Sequence, residues 1–276
     1  MSTNTGTDRV GVVGMGRMGS AILERLAAQG YSVSGWNRTA VSPDKVSFPM
    51  HSAMADLVAA SDVIILSLFD DRAVVEVVNA LCAFDLSGKL VVDTSTTNPK
   101  TLRGLEATIC EAGARAVDAP ISGGPEMVLA GKAGVFLGGA DGDIQRFRPV
   151  VDAFAGRVTH VGKLGAGATA KVMNNMLLCG FWQVLKEAML TGRAGGLGYG
   201  QMLDILSGSP AAPPAFIGRL PVLTGESDRV GFALDGVVKD AELFSEVAQS
   251  LGVDITAIQA GLDSFRAASQ QGLGQA

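Results

Sequence analysis

The chain has 276 residues, room for one large domain or two smaller ones, and 47% of them are hydrophobic, ample for real cores. Charged residues make up 18% and the formal net charge is −5, the balance of a soluble globular protein and not of a nucleic-acid binder, which needs a basic patch. Three scattered cysteines (Cys82, Cys110, Cys179) and two histidines (His51, His160) offer no metal-ligand spacing, so no metal is expected and a reducing compartment is. The leader MSTNTGTDR lacks the apolar segment of a signal peptide, and no apolar run approaches the roughly 18 residues of a membrane span. A cytoplasmic protein with no membrane or nucleic-acid partner is expected.

In chain order, RVGVVG (9–14) reads as a buried strand, and RMGSAILERLAAQG (17–30) as a helix whose Met18, Ile22, Leu23 and Leu26 share a face and whose Gly30 ends it. YSVSGWN (31–37) alternates as a strand. VIILSLF (63–69) and KLVVDTS (89–95) are further strands around a helical RAVVEVVNAL, and ARAVDAP (114–120), AGVFLGG (133–139) and RVTHVG (157–162) continue the series. Alternating strands and helices predict an α/β, doubly wound and largely parallel sheet. Past Gly162 the pattern turns helical, over 167–195, 199–207, 234–251 and 254–270, with a proline-rich kink at SPAAPPAF. The expected division is therefore residues 1–163, a dinucleotide-binding α/β domain, and 164–276, an all-α domain.

Gly14-Met15-Gly16-Arg17-Met18-Gly19 is a G-x-G-x-x-G between a predicted strand and a predicted helix. The first glycine permits the tight turn, the second lets backbone approach a pyrophosphate, and the third lets helix pack on strand. A plain strand-to-helix turn would use the same residues, but the position in a first crossover unit favours a dinucleotide. At the end of the second strand, where an NAD site places an acidic residue, the chain reads Trp36-Asn37-Arg38-Thr39, with no carboxylate until Asp44. An arginine there suits the 2′-phosphate of NADP(H) and can stack on adenine.

Five segments line up: GMGRMG (14–19) with WNRT (36–39), VDTSTTNP (92–99), DAPISGGP (118–125), GAGATAKVMNN (165–175) and GFALDGVVKDAELF (231–244). Together they resemble the β-hydroxyacid dehydrogenase family, over nearly the whole chain. The resemblance implies a Rossmann domain followed by a helical substrate and oligomerisation domain, an active site between them, and homodimers or tetramers. It implies hydride transfer between a nicotinamide and a small carboxylate-bearing aldehyde or hydroxy acid. Lys171 matches the family's catalytic acid/base and Asn175 its second asparagine. Ser122, Gly123 and Gly124 match the substrate-carboxylate loop, Thr96 a position near the nicotinamide, and Phe232, Lys239 and Asp240 the late motif that closes over cofactor and substrate. Two departures lie on the cofactor side. Pro43 and Pro49 shorten the second crossover, and the family's leucine-proline reads Leu68-Phe69.

On a helix Lys171 and Asn175 face the same way, with Asn174 on the adjoining flank. An ammonium there can donate a proton to a carbonyl oxygen as hydride reaches its carbon, a positioned transfer typically worth about 10²–10⁴-fold in rate. Burial and a neighbouring cation such as Lys239 would lower such a lysine's pKa. Spacing alone is met equally well by a lysine that snorkels to solvent; the resemblance favours catalysis. Asp93 and Asp118 end strands and are expected to organise loop N–H groups, not to catalyse. His160 is expected to be structural, and Phe181 and Trp182 core or interface. The rival enzyme reading is an imine reductase, a related group that generally carries another residue at the lysine position. A non-catalytic NADP(H)-binding scaffold is the other alternative.

Overall fold

The computed structural model describes residues 8–41, 46, 48–228 and 231–274. Asp44 and Pro43 lie outside the described residues, as does the leader up to Thr7. The chain divides into two compact units, Met1–Val172 and Met173–Ala276.

The first unit is built on one sheet. Strands β1 (Val10–Val13), β2 (Val33–Trp36), β3 (Met50–His51), β4 (Val63–Leu66), β5 (Leu90–Asp93) and β6 (Arg115–Asp118) run parallel in the order β3-β2-β1-β4-β5-β6. β1 and β4 are buried along their whole length, as their unbroken VGVV and VIIL require when both faces are covered. Helices α1 (Arg17–Ala28), α2 (Met54–Ala60), α3 (Asp71–Leu81) and α4 (Pro99–Glu111) supply that cover. Ile22, Leu23 and Leu26 of α1 are fully buried with Val12 and Ile65 in one cluster, and Val74, Val78 and Leu81 of α3 join Val13, Ile64 and Leu66 in another. These two clusters are the two sides of a doubly wound sheet.

Beyond β6 the parallel rule breaks. β7 (Ile121–Ser122) and β8 (Ala133–Gly138), separated by α5 (Pro125–Leu129), pair antiparallel to each other, and β8 is also antiparallel to β6. The segments 114–120 and 133–139 are therefore not consecutive parallel strands: the link between β6 and β8 is taken up by β7 and the five-residue α5, which leaves no crossover helix to bring β8 back in the parallel direction. After α6 (Asp141–Asp152), β9 (Ala155–Gly162) returns parallel to β8.

α7 (Ala166–Ala194) follows, and the division between the units falls inside it. The second unit is helical: the rest of α7, then α8 (Tyr199–Ser207), α9 (Pro214–Ile217), α10 (Leu220–Leu223), α11 (Leu234–Ser250) and α12 (Thr256–Ala268), closed by a π-helical turn at Ser269–Leu273. Two short helices, each with a proline in its first turn, replace the expected kink. Phe216 of α9 is fully buried with Leu185 and Leu203. Phe181 and Trp182 pack edge-on or tilted against it, with ring centroids 5.7 and 6.4 Å away, so they belong to this core. Among the described residues no helix is long and apolar enough to cross a membrane, and no group of side chains is placed to hold a metal.

Candidate active site

The strand order reverses between β1 and β4, and in open sheets ligands sit at that switch point, beyond the carboxyl ends of the strands. The glycine turn lies there. Gly14 has φ +99°, a conformation costly for any residue with a Cβ, and a Cβ on it would collide with the Ser67 carbonyl oxygen after β4. Gly19 is held by contact, because a Cβ would strike the carbonyl oxygen of Gly14. Gly16 differs: its φ of −74° suits any residue and a Cβ would meet nothing within 4 Å. Packing requires two of the three glycines, and the third leaves open space at the start of α1. This fits a pyrophosphate at the start of α1, where backbone N–H groups lack helical partners.

Asn37 fixes this turn. Its Oδ1 accepts from the Met15 N–H at 3.0 Å, its Nδ2 donates to the Thr39 carbonyl at 2.8 Å, and Gly14 N–H donates to Trp36 O at 3.0 Å. Arg17 is exposed at the start of α1, while Met15 and Met18 pack partly against the core. Arg38 is 87% exposed just past β2, with Glu76 of α3 at 3.8 Å, so its guanidinium stands in solvent beside the turn. In the crossover from residue 37 to 49 the described residues form no helix, and α2 comes after β3.

Leu68 N–H donates to Ser95 Oγ at 2.9 Å, which ties the loop after β4 to the Thr94–Asn98 loop that carries Thr96. Asp93 organises that loop by accepting from Ser95 N–H at 2.9 Å and Thr97 Oγ1 at 3.3 Å. Full burial pushes the Asp93 carboxyl above its usual range. Ser95 was not anticipated; its place two residues after a strand-end aspartate was the available signal.

Ser122 ends β7, and Gly123 at φ +127° swings the chain toward Gly124, which precedes α5. Lys171 is only 8% exposed, and its Nζ donates to the Ile121 carbonyl at 2.5 Å, one residue before that loop. The snorkelling alternative is thereby set aside. The helix can come so close because Gly165 and Gly167 have no side chain: a Cβ on either would lie 2.5 Å from a carbonyl oxygen, of Pro99 and Phe136 respectively.

In the second unit Asn175 Nδ2 donates to Asp240 Oδ2 at 3.4 Å, and Lys239 Nζ lies 2.8 Å from Asp240 Oδ1. The latter contact is Coulombic, since Asp240 Oδ1 has no aligned hydrogen bond. Lys239, expected as a cation that lowers the pKa of Lys171, is paired with Asp240, buried beside it on α11. Phe232 is half exposed, its ring against Gly236, where a Cβ would lie 2.6 Å from it. His160 lies on β9, its Nε2 3.0 Å from Gly162 O, among none of these groups.

A glycine turn of this shape at the switch point of a Rossmann-like sheet is the arrangement of a dinucleotide-binding domain. Residues 9–162 match the NAD-binding domain of 6-phosphogluconate dehydrogenase, and residues 165–276 match the family described as NAD-binding of NADP-dependent 3-hydroxyisobutyrate dehydrogenase. The chain belongs to the β-hydroxyacid dehydrogenase family. It is 27% identical to 2-(hydroxymethyl)glutarate dehydrogenase of Eubacterium barkeri, across 97% of this chain and 91% of that one. It is 26% identical to glyoxylate/succinic semialdehyde reductase 1 of Arabidopsis thaliana, across 96% and 94%. Among solved structures, Psf3 in complex with NADP+ and 2-OPP superposes with a TM-score of 0.87 at 25% identity, covering 97% of this chain and 96% of that one. An imine reductase of Streptomyces aurantiacus shares the fold at a TM-score of 0.69 and 22% identity, covering 97% and 96%.

Proposed function

We propose that this chain is an NADP(H)-dependent reductase or dehydrogenase that moves hydride between nicotinamide and a small β-hydroxy acid or semialdehyde, with Lys171 as general acid/base. The observation that carries the reading is a buried ammonium held one residue from the Ser122-Gly123-Gly124 loop. Gly14, Met15, Gly16, Arg17, Met18 and Gly19 would take the pyrophosphate, with Asn37, Arg38 and Thr39 at the adenosine ribose, and Leu68, Thr96 and Lys239 along the cofactor. The exposed Arg38 guanidinium suits a 2′-phosphate. When bound, the cofactor supplies or accepts the hydride. The Ser122 hydroxyl and the N–H groups of Gly123 and Gly124 suit a substrate carboxylate. Lys171 gives its proton to the carbonyl oxygen during reduction and, when neutral, takes one from the alcohol during oxidation. Asn175, one turn along α7, orients the reacting oxygen, and Asp240 holds the Asn175 amide. Phe232 covers the substrate.

The imine reductase reading shares the fold. Lys171 favours a carbonyl, because the imine reductase group generally carries another residue, often aspartate or tyrosine, at this position. A non-catalytic scaffold would keep Lys171 only for its bond to the Ile121 carbonyl, and loss of turnover with cofactor binding intact in Lys171→Ala separates the two readings. The described cysteines are unpaired, in keeping with a reducing cytoplasm. Met173, Leu177 and Val184 are 62–77% exposed on α7, a surface suited to a homo-oligomer built through the second unit.

One experiment tests the reading: turnover of glyoxylate, succinic semialdehyde and a cyclic imine, with NADPH and with NADH, by wild type, Lys171→Ala and Arg38→Ala. Wild type should reduce an aldehyde with NADPH, Lys171→Ala should lose at least 100-fold in kcat with NADPH binding intact, and Arg38→Ala should lose the preference for NADPH. Turnover of the imine alone, or an active Lys171→Ala, overturns the proposal. An unchanged cofactor preference in Arg38→Ala removes the 2′-phosphate assignment.

A further inference from the structure

We propose that Asp118 is a positioning residue, whose carboxylate clamps the first turn of α7 to the sheet and thereby sets where Lys171 presents its ammonium. The inference rests on the reading of Lys171 as acid/base. Asp118 is the last residue of β6 and is 3% exposed. Its Oδ1 accepts from Gly165 N–H and its Oδ2 from Ala168 N–H, both at 2.7 Å. N–H groups at the start of a helix have no partner inside the helix, and a cap usually comes from a neighbour in sequence. Here the cap comes from 47 and 50 residues upstream. A local cap secures only the helix end, whereas this one fastens the helix to a strand.

A second bond closes a ring. Ile121, three residues past Asp118, accepts the Lys171 ammonium at 2.5 Å, and Lys171 lies three residues past Ala168. One short segment, 118–121, thus grips α7 at two points: a carboxylate on the backbone and a carbonyl on the lysine. Two glycines make the space that the carboxylate occupies. A Cβ on Gly138 of β8 would collide with it, and one on Gly167 of α7 would lie 2.7 Å from Oδ2. If the carboxylate lets go, the first turn is free to shift, and the lysine shifts with it.

The clamp titrates. Burial raises the Asp118 carboxyl to about 6, opposed by the two N–H donors and assisted by the Asp93 charge on the adjacent strand. It is therefore ionised near neutrality, and protonation in the acid range weakens it as an acceptor. The groups facing it are Asp93 from β5 and the amides of Gly165 and Ala168 at the start of α7, with the Lys171 ammonium just beyond.

The test uses the full chain in wild type, Asp118→Asn, Asp118→Glu and Lys171→Ala. Amide exchange of Gly165 and Ala168 is read by NMR, and kcat with glyoxylate or succinic semialdehyde is followed from pH 5 to 9. Asp118→Asn keeps the shape but turns an amide donor toward one of the N–H groups. It should lose at least tenfold in protection at both amides and at least tenfold in kcat, with NADPH affinity within threefold of wild type. Its kcat should be flat around pH 6, where wild type declines. Should Asp118→Asn fail to fold, wild type alone decides: protection of the two amides and kcat must fall together as pH drops through 6. Unchanged protection, or a kcat within twofold of wild type in a folded Asp118→Asn, overturns the proposal. An active Lys171→Ala instead brings down the acid/base reading on which it rests and leaves the exchange result to judge the clamp itself.

Discussion

Gly16→Ala separates what the protein needs from what its ligand needs. At φ −74° and ψ −174° alanine adopts the Gly16 backbone without strain, and its methyl meets no atom within 4 Å. Restricting the unfolded chain should stabilise by ~0.4–1 kcal/mol. Exchanging a tolerable N-cap for a poor one costs up to about 1 kcal/mol. The two nearly cancel, so the melting temperature should move by less than about 4 °C for a unit of this size. Binding should respond quite differently. A methyl directed at the approaching pyrophosphate should weaken NADPH and NADH alike by at least tenfold, ~1.4 kcal/mol. Gly19→Ala is the control, because its methyl would collide with the backbone oxygen of Gly14. Overpacking of that kind costs about 1–3 kcal/mol, and this variant should melt several degrees lower. Circular dichroism melts and cofactor-fluorescence titrations read both quantities. Dinucleotide affinity within twofold of wild type in Gly16→Ala refutes the placement of the pyrophosphate; a large loss of stability there refutes the claim that packing leaves Gly16 free.

Phe216→Ala empties the centre of the second unit's aromatic cluster and should cost ~3–5 kcal/mol in a denaturant melt; a cost below 1 kcal/mol would mean that Phe181 and Trp182 close the gap. Asp62 receives the Arg9 guanidinium at 2.8 and 3.0 Å and is lowered from 3.8 to about 2. Because its folded pKa is depressed, its contribution is complete above pH 4 and lost as pH falls through 2. The melting-temperature gap between wild type and Asp62→Asn should therefore be constant from pH 5 to 8 and close between pH 4 and 2. A gap undiminished at pH 2 would show that the ion pair is not its source.

The alternation of unbroken apolar strands with amphipathic helices was enough to read the parallel part of the sheet, because burial on both faces leaves a strand no polar side to show. The same pattern missed the antiparallel β7–β8 excursion and the short β3, α5 and α9. Elements of two to five residues carry too little periodicity to register, and tertiary pairing alone decides them. The glycine fingerprint stood out in sequence, yet only the coordinates separate Gly14 and Gly19, which packing requires, from Gly16, which it does not. Helical spacing placed Lys171 and Asn175 on one face but could not say whether the lysine was buried. That depended on a strand end some fifty residues upstream, whose carboxylate and carbonyl meet the start of α7. Contacts so distant in sequence leave no trace in local pattern: the residue types that carry the chemistry were set by the sequence, and their alignment by the tertiary fold.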